Sequence, residues 1–125
     1  MKILAVDYGE KRIGLAVGDS DSKIAFSRGI INNSAQIYKE LESFCKKESI
    51  AKIVIGLPLS LSGQDSAQTK QTREFASQFG QKINIPVELI DERLTSVQAG
   101  KMFKDRERID DAVAALLLEQ YFRVN

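Results

Sequence analysis

The sequence contains no histidine and only one cysteine. The lack of histidine excludes Ser-His-Asp and Cys-His catalysis, together with the usual zinc sites built on imidazole. A single cysteine excludes an internal disulfide, and the helical pattern around Cys45 predicts that it is a core residue. Any catalytic chemistry must therefore use carboxylates, hydroxyls, lysine and arginine.

Long apolar runs and an excess of one charge are also missing. No apolar stretch approaches the roughly 20 residues of a membrane span, and the apolar N-terminal segment is too short for a signal peptide. We therefore expect a cytoplasmic protein with no membrane contact. The formal net charge is +1, so a nucleic acid would have to be held by a local basic patch. A length of 125 residues predicts one domain covering residues 1–125.

In the first part of the chain the hydrophobic residues follow the pattern of β-strands, and after these strands they recur at helical spacing. Strands are predicted over Lys2–Asp7, Arg12–Gly18 and Ile24–Ile31, and their short connections favour an antiparallel meander. Asn33 and Ser34 are N-cap candidates for the helix that follows.

The second part of the chain alternates between helices and strands. A strand over Ile53–Leu57 is followed by a loop at 60–66, a helix capped by Asp65 or Ser66, and a strand over Val87–Ile90. A short helix through Phe103 and a strongly apolar helix beginning near Asp110 complete the chain. The fold class predicted is α/β, with a mixed five-stranded sheet (three antiparallel strands, then two parallel ones) and helices on both faces.

Three acidic positions lie at the edges of strongly apolar elements: Asp7, Glu92 and Asp110. Taken singly, each has an ordinary explanation. Asp7 fits a turn, Glu92 fits an ion pair with Arg93 at a strand end, and Asp110 fits a helix N-cap. The predicted topology brings all three to one end of the sheet, where open α/β sheets bind ligands.

Clustered carboxylates repel one another unless a cation lies among them. Oxygen ligands without histidine or cysteine favour Mg²⁺ or Mn²⁺ over zinc or copper. Such ions support phosphodiester hydrolysis, so Asp7, Glu92 and Asp110 are the predicted catalytic and metal-binding residues.

Cations near these acids are candidate phosphate contacts. Lys11, Arg12 and Arg93 are the predicted substrate-binding residues, since they lie beside the acidic positions in the sequence. Lys101, Lys104, Arg106 and Arg108 fit a solvated charged surface as well as a phosphate site. The loop around Gly63 fits either a phosphate-binding turn or a plain surface connection.

Four ordered segments resemble one known family over nearly the whole chain: "VDYGEKRIGLAVGD", "IVIGLPLSLSG", "PVELIDERLTS" and "IDDAVAALLLEQYF". They are similar to the YqgF family, also called RuvX, of RNase H-like proteins. The resemblance implies an RNase H-like fold and a nuclease site that matches Asp7, Glu92 and Asp110. It also implies a role in maturing the 5′ end of pre-16S rRNA, or alternatively in resolving Holliday junctions.

The segment before "ID" departs from the family pattern, because only "KDRER" stands where members usually have a longer glycine-containing loop.

Two other classes of function are open. One is phosphotransfer, as in the actin-like and sugar-kinase ATPases of the same superfold, and the other is nucleic-acid binding without catalysis. The expected partner is a nucleic acid, and pre-rRNA is favoured over branched DNA. The protein is expected to be a monomer or a homodimer, and symmetric junction cleavage would require the dimer.

Overall fold

The computed structural model describes residues 1–59, 62–92 and 106–124, with the side chains of residues 106–111 outside that description. Its elements are β1 (Lys2–Asp7), β2 (Arg12–Asp19), β3 (Ile24–Asn32), α1 (Ile37–Glu48), β4 (Lys52–Leu57), α2 (Ala67–Lys82), β5 (Val87–Asp91) and α3 (Arg106–Val124). Each predicted strand is present, with bounds within a residue of the prediction. The predicted short helix through Phe103 lies outside the described residues.

The five strands form one sheet in the order β3-β2-β1-β4-β5. β1 pairs antiparallel with β2, and β2 pairs antiparallel with β3. β1 pairs parallel with β4, and β4 pairs parallel with β5. The predicted mixed sheet is therefore confirmed, and β1 lies at its centre, with its carboxyl end next to that of β4, which is in turn next to that of β5.

Side chains of the strands alternate between two hydrophobic cores, as strand geometry requires. Leu4 and Val6 of β1 pack with buried residues of α1 and α2 on one face. Ile3 and Ala5 pack with Leu117 and other residues of α3 on the opposite face. Helices on both faces were predicted, and the packing of α1, α2 and α3 confirms this.

Helix α1 differs from the prediction at its start. Gln36 is the N-cap residue and makes no capping hydrogen bond through its side chain, so the prediction of Asn33 or Ser34 as N-cap was wrong. Ser34 instead forms a local turn, in which its Oγ accepts a hydrogen bond from the Gln36 amide at 3.2 Å. Cys45 is buried within α1, and burial raises the pKa of its thiol to about 11, which fits the predicted packing role.

Helix α2 begins at one of the two predicted positions, with Ser66 rather than Asp65 as its N-cap. The Ser66 Oγ accepts a hydrogen bond from the Thr69 amide, and the Thr69 hydroxyl accepts one from the Ser66 amide. The hydroxyl of Thr69 also donates to the carbonyl of Pro58. This capping box therefore attaches the start of α2 to the chain that leaves β4.

Helix α3 begins at Arg106, one turn earlier than predicted. Asp110 is consequently inside the helix, and its prediction as the N-cap was wrong. Arginine and glutamate are good helix formers, so residues 106–108 can extend the helix beyond the capping signal. Among the helices of the described residues, none has the length and hydrophobicity required to cross a membrane.

Candidate active site

Asp7 and Glu92 lie at the same edge of the sheet. Asp7 is the last residue of β1, and Glu92 directly follows β5. β4 separates these strands, and the Glu92 amide donates a hydrogen bond of 3.3 Å to the carbonyl oxygen of Leu57 at the end of β4. The order of the strands thus brings two acids that are distant in sequence to one edge.

The two carboxyl groups are joined by a side-chain hydrogen bond, and Glu92 is only 5% exposed. The pKa of Glu92 is raised to about 8, chiefly by burial and then by the adjacent Asp7 charge, the hydrogen bond to Asp7 and the Asp91 charge. Oε2 of Glu92 is buried without a hydrogen-bond partner among the described residues. A proton is therefore held at this carboxyl pair at neutral pH unless a cation replaces it.

Gly56 of β4 makes this arrangement sterically possible. In the β1–β4 register Val6 is opposite Ile55, so Gly56 follows at the level of Asp7. A Cβ at Gly56 would overlap Oε2 of Glu92 and would lie 3.0 Å from Cδ2 of Leu117. The Glu92 carboxyl group therefore crosses β4 above the glycine, in space that any other residue would fill.

The sequence prediction did not assign a role to Gly56. Its signal was present, because one glycine interrupts the otherwise β-branched segment "IVIGL". A glycine inside a strand often marks the close approach of another group.

The donor set at this edge suits a hard divalent cation, since it consists of carboxylate oxygens, one of which is buried and lacks a partner. Among the described side chains, no group of three or more Asp, Glu or Cys residues lies close enough to hold a metal ion. The Asp110 side chain lies outside that description. Asp110 precedes Ala114 by four residues and Leu117 by seven, the spacing of one helical stripe, and both of these residues are buried against the sheet.

Lys11 and Arg12 lie beside Asp7, as their sequence positions predicted. All three residues line an open cavity of about 220 Å³, whose wall also includes Tyr8 and Gln68. We call this the Asp7 cavity. Lys11 and Arg12 are both exposed, so they could contact the phosphates of a polyanion beside the carboxyl pair.

The turn that carries Lys11 is fixed by Asn33. The Asn33 side-chain amide donates a hydrogen bond of 2.9 Å to the Gly9 carbonyl, and its backbone amide donates one of 2.9 Å to the Lys11 carbonyl. A Cβ at Gly9 would overlap the carbonyl oxygen of Arg12, so this close turn requires glycine. Asn33 therefore positions the β1–β2 turn, a role that the sequence analysis missed.

The remaining predicted contacts cannot be placed against this site. Arg93, Lys101 and Lys104 lie outside the described residues, as do the side chains of Arg106 and Arg108. The described part of the loop after β4 includes Gly63, whose φ is +84°. Its predicted contact with phosphate stays a prediction.

Comparisons with known proteins agree with the resemblance. The family model described as RuvX, Holliday junction resolvase, matches residues 1–124. A protein of Maridesulfovibrio salexigens named "Putative pre-16S rRNA nuclease" is 37% identical over 131 residues, covering 97% of this chain and 97% of that protein. A protein of the same name from Thermosynechococcus vestitus is also 37% identical, covering 97% of this chain and 87% of its own length.

Solved structures show the same fold at low sequence identity. RuvC of T. thermophilus in complex with a Holliday junction substrate has a TM-score of 0.62 and 14% identity, with 99% of this chain and 95% of that chain covered. The fowlpox virus Holliday junction resolvase has a TM-score of 0.62 and 14% identity, with both chains fully covered at 100%. The predicted RNase H-like fold is thereby confirmed.

The family description and the names of the relatives all denote enzymes that cleave phosphodiester bonds, so the prediction of a nuclease is confirmed at the level of the family. The model matches nearly every residue, and the relatives align over nearly their full length. The chain therefore belongs to the RuvX family.

Proposed function

We propose that this chain is a metal-dependent endonuclease that cleaves pre-16S rRNA, with Asp7, Glu92 and Asp110 as its catalytic, metal-binding residues. The observation that carries the proposal is the hydrogen bond between the buried carboxyl group of Glu92 and that of Asp7, beside an open cavity with two cations. The choice of RNA is supported by the names of the curated relatives.

Asp7 and Glu92 would hold Mg²⁺ or Mn²⁺, with Asp110 of α3 as a third ligand. The bound ion would supply an activated water and would stabilise the charge that develops on the leaving oxygen. Glu92 must release its proton before it can act as a ligand, and its raised pKa means that protonation competes with metal binding near neutral pH.

The cations of the Asp7 cavity would orient the substrate. Lys11 and Arg12 would bind phosphates on either side of the bond that is cleaved, and Arg93 would add a contact from the segment after Glu92. Asn33 holds the turn that carries Lys11, so the two cations are presented on a fixed backbone. Because the turn is already fixed, less conformational entropy is lost when the substrate binds.

Resolution of Holliday junctions is the second candidate function, and the family description favours it. Symmetric cleavage of a four-way junction requires two active sites related by a two-fold axis. A stable monomer that cleaves precursor RNA would support the first function, whereas a dimer that cleaves a junction symmetrically would support the second.

The decisive experiment compares the wild type with Asp7→Asn on a pre-16S rRNA 5′ leader and on a synthetic four-way junction. We expect Mg²⁺- or Mn²⁺-dependent cleavage of the leader by the wild type and a loss of more than about 100-fold in Asp7→Asn. Changes that only disturb the surroundings of a metal ligand already cost about 10- to 100-fold.

The control is Asp21→Asn, since Asp21 is 93% exposed in the turn after β2, at the end of the sheet opposite Asp7. It should retain wild-type cleavage. Full activity of Asp7→Asn, or full activity of the wild type in EDTA, would refute the proposed mechanism. Metal-independent binding without any cleaved product would instead support the non-catalytic alternative.

A further inference from the structure

A second cavity, of about 310 Å³, lies next to the Asp7 cavity and shares Tyr8 with it. We call it the aromatic cavity, because Tyr8, Tyr38 and Phe75 line it. Glu10, Gln71 and Glu74 also contribute to its lining. The nuclease chemistry proposed above does not use it.

The rings in this cavity form a nearly parallel stack around Phe75. Tyr8 stacks on Phe75 with centroids 4.4 Å apart and an interplanar angle of 28°. Tyr38 stacks on the same ring at 5.7 Å and 15°. Phe75 is buried, whereas both tyrosines are partly exposed. The core therefore holds a fixed aromatic platform beneath an opening to solvent.

Hydrogen-bonding groups surround this platform. The Tyr38 hydroxyl donates to Oε1 of Gln78 at 3.0 Å, and the Gln78 side-chain amide donates to Oε1 of Glu74 at 3.2 Å. Burial raises the pKa of Tyr38, and the neighbouring Tyr8 and Glu74 raise it further, which places these groups close together. The rim is thus rich in acceptors, including two carboxylates.

The two cavities differ in the charge of their side chains and therefore favour different ligands. Lys11 and Arg12 are on the Asp7 side of Tyr8, and Glu10 and Glu74 are on the aromatic side. The first region attracts phosphates, and the second carries two carboxylates, with Lys82 Nζ 5.5 Å from the Tyr38 ring centroid. A ring that carries amino donors suits the second region, since it can stack on the aromatic platform and donate to the carboxylates.

We propose that the aromatic cavity binds an unpaired nucleobase of the substrate, next to the phosphate held at the Asp7 cavity. The substrate is then single-stranded at this position, because a base within a duplex is stacked on both faces and cannot enter. The carboxylates favour bases with an exocyclic amino group, such as cytosine, over uracil. This inference rests on the proposed nuclease function, because it assumes a nucleic acid across Asp7.

Fluorine NMR provides a test that is independent of cleavage. The chain has three tyrosines and no tryptophan, so incorporation of 3-fluorotyrosine gives three signals, assignable with single Tyr→Phe variants. Tyr8 and Tyr38 line the cavity, and Tyr121 of α3, which is buried against the opposite face of the sheet, is an internal reference. The full chain is titrated in EDTA with an oligocytidine hexamer, an oligouridine hexamer and a blunt RNA duplex.

We expect the oligocytidine to shift the Tyr8 and Tyr38 signals and to leave Tyr121 unchanged, while the duplex leaves Tyr38 unchanged, since Tyr38 lines only the aromatic cavity. Binding of the single strand, measured by fluorescence anisotropy, without a shift of Tyr8 or Tyr38 would overturn the proposal. So would equal shifts by single strand and duplex. A chain that shows the expected shifts but cleaves nothing would support the cavity and contradict the nuclease function.

Variants of the cavity separate stacking from hydrogen bonding. Tyr38→Ser should weaken oligocytidine binding about tenfold, the usual effect of losing one stacked base, and Tyr38→Phe should restore most of it. Glu74→Gln should reduce the preference for oligocytidine over oligouridine, which we expect to be several-fold in the wild type. Since Glu74 is exposed, this variant tests the proposal even if Tyr38→Ser fails to fold. An unchanged preference in Glu74→Gln would refute the role of the carboxylate.

Discussion

Glu92 shows how far its surroundings change a single residue. The pKa of its carboxyl group rises from 4.5 to about 8, chiefly because the group is buried and secondly because Asp7 is adjacent. Sequence identified Glu92 as an acid at the end of a strand, but nothing local to "IDERL" indicates burial beside another carboxyl group. That environment depends on the strand order.

The stability of the metal-free protein should therefore depend on pH through this pair. Between pH 4.5 and about 8 the unfolded chain has released the Glu92 proton while the folded chain retains it. The free energy of unfolding should consequently fall as pH rises through this window, by at most about 1.4 kcal/mol per pH unit. Glu92→Gln should lack this contribution and become more stable than the wild type toward pH 8.

Urea unfolding in EDTA at pH 5 to 8.5 measures this difference. Glu10→Gln, at an exposed position, controls for the loss of one negative charge. Parallel pH profiles of wild type and Glu92→Gln would contradict the predicted proton uptake.

Gly56 offers a second prediction at the scale of one residue. Gly56→Ala should displace the Glu92 carboxyl group and crowd Leu117, with a loss of stability of about 1–3 kcal/mol typical of overpacking. The nuclease activity of Gly56→Ala should also fall, because the displaced Glu92 carboxyl group no longer lies beside Asp7. The matched control is Gly80→Ala in α2, where an added Cβ meets nothing within 4 Å and should stabilise the helix by up to about 1 kcal/mol. Wild-type activity in Gly56→Ala would contradict the steric argument.

At the scale of elements, the N-cap of α2 could be narrowed to Asp65 or Ser66 from the sequence, because capping is a local interaction. Ser66→Ala should lower the free energy of unfolding by about 1 kcal/mol, as is usual for a lost N-cap, and should loosen the contact of Thr69 with Pro58. Ser77→Ala, an exposed position inside the same helix, is the matched control and should change stability little. Equal effects of the two substitutions, measured by urea unfolding, would show that the cap contributes nothing.

The starts of α1 and α3 were mispredicted for a common reason. Asn33 and Asp110 are residue types that often cap helices, but the same side chains can serve other purposes. Asn33 holds the β1–β2 turn through two hydrogen bonds. Asp110 is preceded by residues that continue the helix. Hydrophobic periodicity predicted the helices. The contact of Asn33 with the β1–β2 turn and the helix-forming residues before Asp110 decided where α1 and α3 begin.

At the scale of the whole molecule, a metal ion bound at the candidate site should stabilise the folded protein. Mg²⁺ or Mn²⁺ should raise the melting temperature, because a ligand that binds only the folded state stabilises it in proportion to the logarithm of its concentration. The increase should be larger at pH 8 than at pH 6, since protons compete for Glu92 at the lower pH. Differential scanning fluorimetry with and without EDTA measures it. Asp7→Asn should abolish the increase, and an unchanged shift in that variant would place the metal elsewhere.

The sequence by itself determined the identity of the elements, the fold class and the position of each acid, because hydrophobic periodicity, turns and strand ends are local properties of the chain. Tertiary structure alone decided that Glu92 reaches Asp7 across Gly56, that Asn33 fixes the turn carrying Lys11, and that Tyr8 joins two cavities of opposite character. These features arise between elements that are far apart in sequence, so their burial, pKa and contacts exist only once β1 lies between β2 and β4 in the sheet.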